Sequence, residues 1–219
     1  MESFIPYSWK KLNPEEQVEK SAKFYKLMNE RRSIRGFSKE ALPKEAMLNA
    51  IKTASTAPSG AHKQPWTFCL ISSPDIKRKI REAAEEEEKL NYGQRMSEEW
   101  LDDLKKFRTN WEKPFLEIAP YLIVVFKKVY DDDGEGKKTN YYVNESVGLA
   151  TGFLLTALHN AGIYALTHTP SPMKFLSEIL DRPKNERPFL LIPIGYPEDG
   201  HEVPELKRKE AKEFLIEYR

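Results

Sequence analysis

Glu88, Tyr92 and Lys113 are the residues whose types and spacing point most directly to chemistry. They stand in EEEEKLNYGQRM (residues 85–96) and RTNWEKP (residues 108–114). A carboxylate, a phenol and an ammonium brought to one point can hold both ends of a free amino acid. The carboxylate takes the ligand's ammonium, and the lysine or the phenol takes its carboxylate. Glu88 and Tyr92 are four residues apart, so a helix sets them on one face. Lys113 arrives from beyond the next predicted helix. Runs of Glu and Lys also mark solvated helix faces, and the local pattern alone leaves both readings open.

Other segments suit an anion and a flat ring. Arg31-Arg32-Ser33-Ile34-Arg35 gathers three guanidiniums and a hydroxyl within five residues. Planar forks chelate the oxygens of a phosphate monoester, and the serine adds a donor. The same residues also read as a basic helix end that complements the macrodipole. Pro58-Ser59-Gly60-Ala61 is a small-residue turn that lets backbone N–H groups approach a ligand, or an ordinary turn. Thr167-His168-Thr169-Pro170 closes a predicted strand, with hydroxyls free to donate to a ligand or to the local backbone. Lys207-Arg208-Lys209 lies in a basic tail whose ordinary reading is solvation.

These segments need a scaffold. Asn13-Pro14-Glu15-Glu16 has the Asn, Pro and Glu of a helix start, and that helix is predicted to reach about Arg31. Pro43 opens a second helix, with Met47, Ala50, Ile51 and Ala54 on one face. Trp66–Ser72 reads as a strand. Ser73 caps a helix with Ile76, Ile80 and Ala84 inward, which becomes almost wholly polar from Glu85 and so has little to anchor its end. Ser97 caps a short helix, and Tyr121–Val129 is a buried strand. Residues 131–138 (DDDGEGKK) read as a solvent loop. Tyr141–Ala161 is the most apolar helix; Gly148, Ala150 and Gly152 suit close packing, and Gly162 stops it. Ile163–Thr167, Pro172–Leu180 and Pro188–Gly195 complete the order as strand, helix and strand. A charged, extended tail with a short last helix follows. Helices and strands interleave without an even βαβ rhythm, which predicts an α+β domain.

Composition excludes several classes. The 219 residues carry 35 basic and 34 acidic side chains, so no global field draws nucleic acid or anionic membrane. No apolar run approaches the ~18 residues of a membrane span, and the first residues lack an apolar signal core. A soluble, cytoplasmic protein is expected. Cys69 is the single cysteine, set in the apolar run WTFCLI, where an inert buried thiol is expected. The four histidines, His62, His159, His168 and His201, show no metal-ligand spacing. Neither GxGxxG nor GxxxxGK[ST] occurs, so no Rossmann-type or P-loop phosphate site is visible.

Together the segments resemble the nitroreductase superfamily, through RRSIR, TAPSGAHKQPW (residues 56–66) and PFLLIPIGYP (residues 188–197). Within it they closely resemble the iodotyrosine deiodinase family, through EEEEKLNY, DLKKFRTNW (residues 103–111), Lys113, THTP and VPELKRK (residues 203–209) in the same order. The resemblance covers roughly Arg31 to Lys209. It implies a single nitroreductase-like domain over residues 1–219, with a central mixed sheet flanked by helices. A lid at approximately 85–115 and a C-terminal extension at approximately 200–219 belong to it. It implies an intertwined homodimer with two FMN molecules at the interface.

By the same resemblance, Arg31, Arg32, Ser33 and Arg35 line the FMN phosphate and pyrimidine side. Ser59 and Gly60 form a second flavin segment; Thr167, His168 and Thr169 form a third, with Thr169 donating to flavin N5 as the catalytic contact. Arg208 is the fourth. Ala61 offers its N–H to the substrate phenolate, and Glu88, Tyr92 and Lys113 bind the zwitterion. The implied activity is FMN-dependent reductive dehalogenation of halotyrosines to tyrosine and halide. A general FMN nitroreductase or quinone reductase is the alternative. The implied reductant is NAD(P)H, direct or through a partner reductase. The middle position of THTP, His168, departs from the family pattern.

Overall fold

The computed structural model describes residues 3–132, 134 and 136–219. Contacts divide the chain into a unit ending at Arg31 and a unit running from Arg32 to Arg219. In the first, α1 (Pro14–Asn29) begins as its sequence predicts. The Asn13 side chain accepts from the Glu16 N–H at 2.8 Å, and the Glu16 carboxylate accepts from the Asn13 N–H at 3.1 Å. None of its residues is buried, and Phe24 and Tyr25 stand exposed on it.

The second unit is built on a four-stranded sheet in the order β1 (Trp66–Ile71), β2 (Tyr121–Lys128), β6 (Glu186–Gly195), β5 (Tyr164–Ala165), with antiparallel neighbours. A single parallel bridge from Ser33 to Ala165 makes it mixed. Side chains alternate across β2, so Ile123 and Val125 enter one core and Leu122, Val124 and Phe126 the other. α2 (Lys44–Ala54) and α6 (Val143–Asn160) cover the first face with Met47, Ala50, Ala54, Leu154 and Leu158. Each fully buried leucine there contributes on the order of 2 kcal/mol. α3 (Pro74–Leu90), α5 (Phe115–Ile118) and α7 (Lys174–Ile179) cover the second face, with Ile80, Ala84, Leu116 and Leu176 inward. α4 (Glu98–Lys105) buries no residue.

Several expectations are corrected. Tyr130–Asp132 (β3) and Lys137–Thr139 (β4) pair as an antiparallel hairpin where a loop is expected; its Asp133 and Glu135 lie outside the described residues. Polarity hides such a two-sided exposed ribbon, because no face of it is apolar. At Gly148 and Gly152 a Cβ would meet nothing within 4 Å, so of the three small residues only Ala150 serves close packing within this chain. Gly162, at φ 69°, does stop α6. Gly195 is the tight position of β6: a Cβ would lie 2.8 Å from Pro120 Cδ and 3.0 Å from Phe37 Cδ1. Among the described residues no helix is long and apolar enough to cross a membrane.

Candidate active site

Glu88, Tyr92 and Lys113 converge. α3 carries Glu88 near its end, and one π turn (Asn91–Arg95), closed by the Met96 N–H on the Asn91 carbonyl at 2.9 Å, carries Tyr92. Lys113 precedes α5, and its ammonium sits 3.3 Å from Glu88 Oε2 and 5.1 Å from the centre of the Tyr92 ring. It also donates to Thr109 Oγ1 at 3.4 Å and to the Asn110 carbonyl. Glu88 is 6% exposed and Lys113 3%, which removes the solvated-face reading. Burial pushes the Glu88 carboxyl up and the Lys113 ammonium down, and each charge opposes the shift of the other. Burial also raises Tyr92, against a hydrogen bond from Thr109.

The end of α3 is better anchored than its polarity suggests. The Lys113 N–H donates to Glu85 Oε1 at 2.7 Å, while Glu85 accepts from Arg81 Nε at 2.9 Å. The Asn91 amide donates to the Ser171 carbonyl at 3.0 Å, and Arg95 pairs with Glu87 at 2.7 Å. Ion pairs and buried amides replace the missing apolar stripe. Thr109, Asn110 and Asn91 carry no chemical signal of their own in the sequence, although the first two lie within its DLKKFRTNW motif.

The trio lines a cavity of about 200 Å³ together with Thr167, His168 and Thr169. Arg35 lines this cavity and also a neighbouring cleft of about 760 Å³ with Ser33, Phe107 and Pro204. Its guanidinium lies 4.9 Å over the Phe107 ring, and burial lowers its pKa. The Ile34 N–H bonds the Ala165 carbonyl at 3.3 Å, which holds this arginine segment beside the sheet end. Arg32 donates to the Pro204 carbonyl and so fastens the start of the tail. The tail is further tied by Arg108 to Glu202 at 2.9 Å. Arg31 ends the first unit. Arg208 lies beyond the last lining residue of the cleft, Leu206, and is exposed.

Thr167, His168 and Thr169 follow β5. His168 is locked to β6 by paired backbone bonds with Leu191, at 2.8 and 3.0 Å. Thr167 and Thr169 are exposed on either side of it. Its ring stands edge-on to Phe115, with centroids 5.5 Å apart.

Ser59, Gly60 and Ala61 lie elsewhere and line neither cavity. The Gly60 N–H reaches Ser146 Oγ at 3.4 Å, and a Cβ on Gly60 would lie 3.0 Å from the Tyr142 ring. Ala61, His62 and Gln64 hold left-handed backbone at φ 47°, 55° and 47°, and Tyr142 does so at 48°. Such strain in non-glycine residues gathers at functional sites. The Ala61 N–H has no hydrogen-bond partner among the described residues. One copy of the chain thus presents two separate pieces: a cleft lined by Arg35, Lys106 and Arg108 as well as Glu198, Glu202 and Glu205, beside the smaller cavity of the trio, and a strained turn offering a backbone donor.

The residues fit a flavin mononucleotide. The cleft volume falls within the ~300–1,000 Å³ of ligand sites. Arg32, Ser33 and Arg35 lie within one four-residue run, and Ser33 and Arg35 line the cleft. Among the described residues no cluster of His, Cys, Asp and Glu could hold a metal.

Residues 28–196 match the nitroreductase family. The chain is 60% identical to iodotyrosine deiodinase of Haliscomenobacter hydrossis over 99% of its own length and 98% of that protein. It is 47% identical to iodotyrosine deiodinase 1 of Homo sapiens, over 97% of its own length and 74% of that protein. Its structure resembles the crystal structure of oxidized iodotyrosine deiodinase bound to FMN and 3-iodo-L-tyrosine, with TM-score 0.77 and 34% identity, covering 90% of this chain and 98% of that one.

Proposed function

The chain belongs to the nitroreductase family, and we propose that it is an FMN-dependent enzyme that reductively removes halide from halogenated tyrosines. The observation that carries this reading is the small cavity where a carboxylate, an ammonium and a phenol meet, sharing Arg35 with a cleft of cofactor size. A nitroaromatic or a quinone has no zwitterion to occupy such a set. The relatives named iodotyrosine deiodinase support it independently.

Arg31, Arg32, Ser33, Arg35 and Arg208 hold the phosphate and pyrimidine side of FMN, as charge-assisted donors worth roughly 1.5–3 kcal/mol each when desolvated. Thr167 and His168 fix the strand end that carries Thr169, whose hydroxyl is the donor toward flavin N5. Reduced FMN supplies the two electrons that removal of halide from an aromatic carbon requires and that no side chain provides. Ser59 and Gly60 close the flavin from a second copy of the chain, and Ala61 of that copy donates its N–H to the substrate phenolate. Holding the ring as phenolate concentrates charge on the carbon that bears the halogen, where a proton must arrive before halide leaves. Glu88 takes the substrate ammonium, while Lys113 and Tyr92 take its carboxylate. With the head group held, the lid over residues 85–115 excludes water.

The separation of the Ser59–Ala61 turn from both cavities supports a homodimer, because a second copy must then complete each site. The reading is of one functional domain per copy, with the tail over residues 200–219 as an extension. It is of a cytoplasmic enzyme reduced by NAD(P)H, directly or through a reductase; a lone cysteine, which forms no internal disulfide, accords with that compartment.

The test is anaerobic. Protein loaded with FMN is reduced and mixed with 3-iodotyrosine while flavin absorbance and free iodide are followed. Reoxidation with stoichiometric iodide release is expected. Turnover of a nitroaromatic without release of iodide from iodotyrosine would replace this reading with a general nitroreductase.

A further inference from the structure

Arg35 is the guanidinium common to the small cavity and the larger cleft. It is half-buried, and among the described residues its guanidinium makes no hydrogen bond and no ion pair. The acids that line the cleft with it do not take it. Glu202 pairs with Arg108 at 2.9 Å, and Glu198 faces His201 at 3.6 Å. What Arg35 does touch is the Phe107 ring, whose centre lies 4.9 Å from its central carbon. A guanidinium over an aromatic face is steadied there while its N–H donors stay free at the edges.

Phe107 stands on the segment that leads to Lys113. It follows α4 in a tight turn, with its N–H on the Leu104 carbonyl at 2.9 Å and the Arg108 N–H on the Lys105 carbonyl at 3.1 Å. Arg108 then redirects the chain with left-handed backbone, at φ 47°. Leu104 and Thr109, on either side of Phe107, line the small cavity. Thr109 accepts from Lys113 at 3.4 Å, and Lys113 meets Glu88 at 3.3 Å. The run from Phe107 to Lys113 is thus pinned at both ends, on Arg35 and on Glu88. The neighbouring charges do not replace the first of these contacts. Lys106, 5.5 Å from the same ring centre, is exposed, and the Arg108–Glu202 pair is too open to solvent to contribute much.

We propose that Phe107 is a positioning residue: when the lid shuts over an amino acid, its ring holds the Arg35 guanidinium toward the flavin, so that substrate binding tightens the grip on FMN. The inference rests on the reading that the cleft takes FMN and the cavity takes the substrate's head group. With the lid open, Arg35 loses its platform and its donors lose their direction. Linkage makes the effect reciprocal, so FMN tightens the amino acid by the same factor.

The test measures that coupling. Fluorescence of free FMN gives the dissociation constant of the apoprotein for FMN, with and without saturating 3-iodotyrosine, and the ratio of the two is compared among variants. These are wild type, Phe107→Leu, Phe107→Tyr, Arg35→Met and the double variant of Phe107→Leu with Arg35→Met. Leucine keeps apolar bulk but has no aromatic face. Phe107→Leu should lower the ratio about fivefold, equal to about 1 kcal/mol, and Phe107→Tyr should preserve it. On the Arg35→Met background, Phe107→Leu should change nothing further. An unchanged ratio in Phe107→Leu would overturn the proposal. So would an equal loss with and without Arg35, which would show the ring acting only through the packing of the lid. If wild type shows no coupling at all, the head-group reading fails together with this inference. Coupling that is present but indifferent to Phe107 sinks this inference alone.

Discussion

Acidification should destabilise this protein through His168, by an amount its surroundings fix. Desolvation by burial, then the charges of Lys113 and Arg35, lower its pKa from 6.5 to about 3 in the folded chain. Glu88 and Tyr92 face the same cavity, and Phe115 packs on the ring. In the unfolded chain the imidazole returns to its ordinary value near 6.5. Between those two values the unfolded state binds one more proton than the folded state, so stability is intact above about pH 6.5 and falls as the pH drops toward 3. At about pH 5, some 1.5 units below the unfolded pKa, the loss is about 2 kcal/mol at about 1.36 kcal/mol per unit. For a chain of this length that corresponds to roughly 4–8 °C in Tm. Other groups titrate over the same range, so the quantity to measure is a difference. Wild type and His168→Phe, both FMN-loaded, are unfolded in urea at about pH 7.5 and about pH 5, and their free energies are compared. The wild type should lose about 2 kcal/mol more than the variant. Parallel losses would show that the ring is not held neutral in the fold, and the argument from its burial would be wrong.

Other perturbations test the remaining parts. Lys113→Met strands the Glu88 carboxylate in a buried site, a loss of about 3–5 kcal/mol if the lid stays shut. The lid should open instead, seen as faster amide hydrogen exchange over residues 85–113 and at least tenfold weaker iodotyrosine binding; unchanged exchange would refute the pairing. Lys77→Met removes a buried ammonium that bonds the Glu117 carbonyl at 2.9 Å and the Ala119 carbonyl at 2.7 Å. It should cost roughly 1–3 kcal/mol in urea unfolding with iodotyrosine affinity unaltered, whereas a change in affinity would tie Lys77 to the site. Gly195→Ala must displace Pro120 or Phe37 and should destabilise by about 1–3 kcal/mol; an unchanged urea midpoint would show that this junction is loosely packed. Thr169→Ala should slow iodide release while sparing the dissociation constant, and the reverse pattern would make Thr169 a binding residue.

The scaffold was legible where local physics decides it. Asn13 and Ser97 cap helices through their side chains, and the continuous apolar run at residues 121–126 yields a strand buried on both faces. Site segments were legible as chemistry but not as places. Ser59, Gly60 and residues 167–169 read equally well as flavin contacts, yet the chain sets Gly60 beside Tyr142 and residues 167–169 in the cavity with Glu88, Tyr92 and Lys113. No local pattern encodes that separation, because it follows from which helices cover which face of the sheet. The anchoring of Glu88 was hidden for a related reason. Its partner stands twenty-five residues further on, and helical periodicity counts an acid as solvated whatever lies opposite it. The direction of the His168 ring depends on Phe115, more than fifty residues earlier in the chain.

If Lys113 and Glu88 take the substrate's head group as proposed, their ion pair makes binding an exchange rather than an addition. The cavity already contains one ammonium against one carboxylate, the same two charges that an amino acid carries. A zwitterion that enters splits that pair and gives each half a new partner, so one pairing becomes two. A ligand with a single charge satisfies one half and orphans the other in a site where an uncompensated ion is costly. A ligand with none has to compete with a pair that is content without it. On that reading, selectivity would be set as much by how well the two residues suit each other as by how well either suits the substrate. Any change that tightened their mutual contact would make the enzyme choosier and slower to fill.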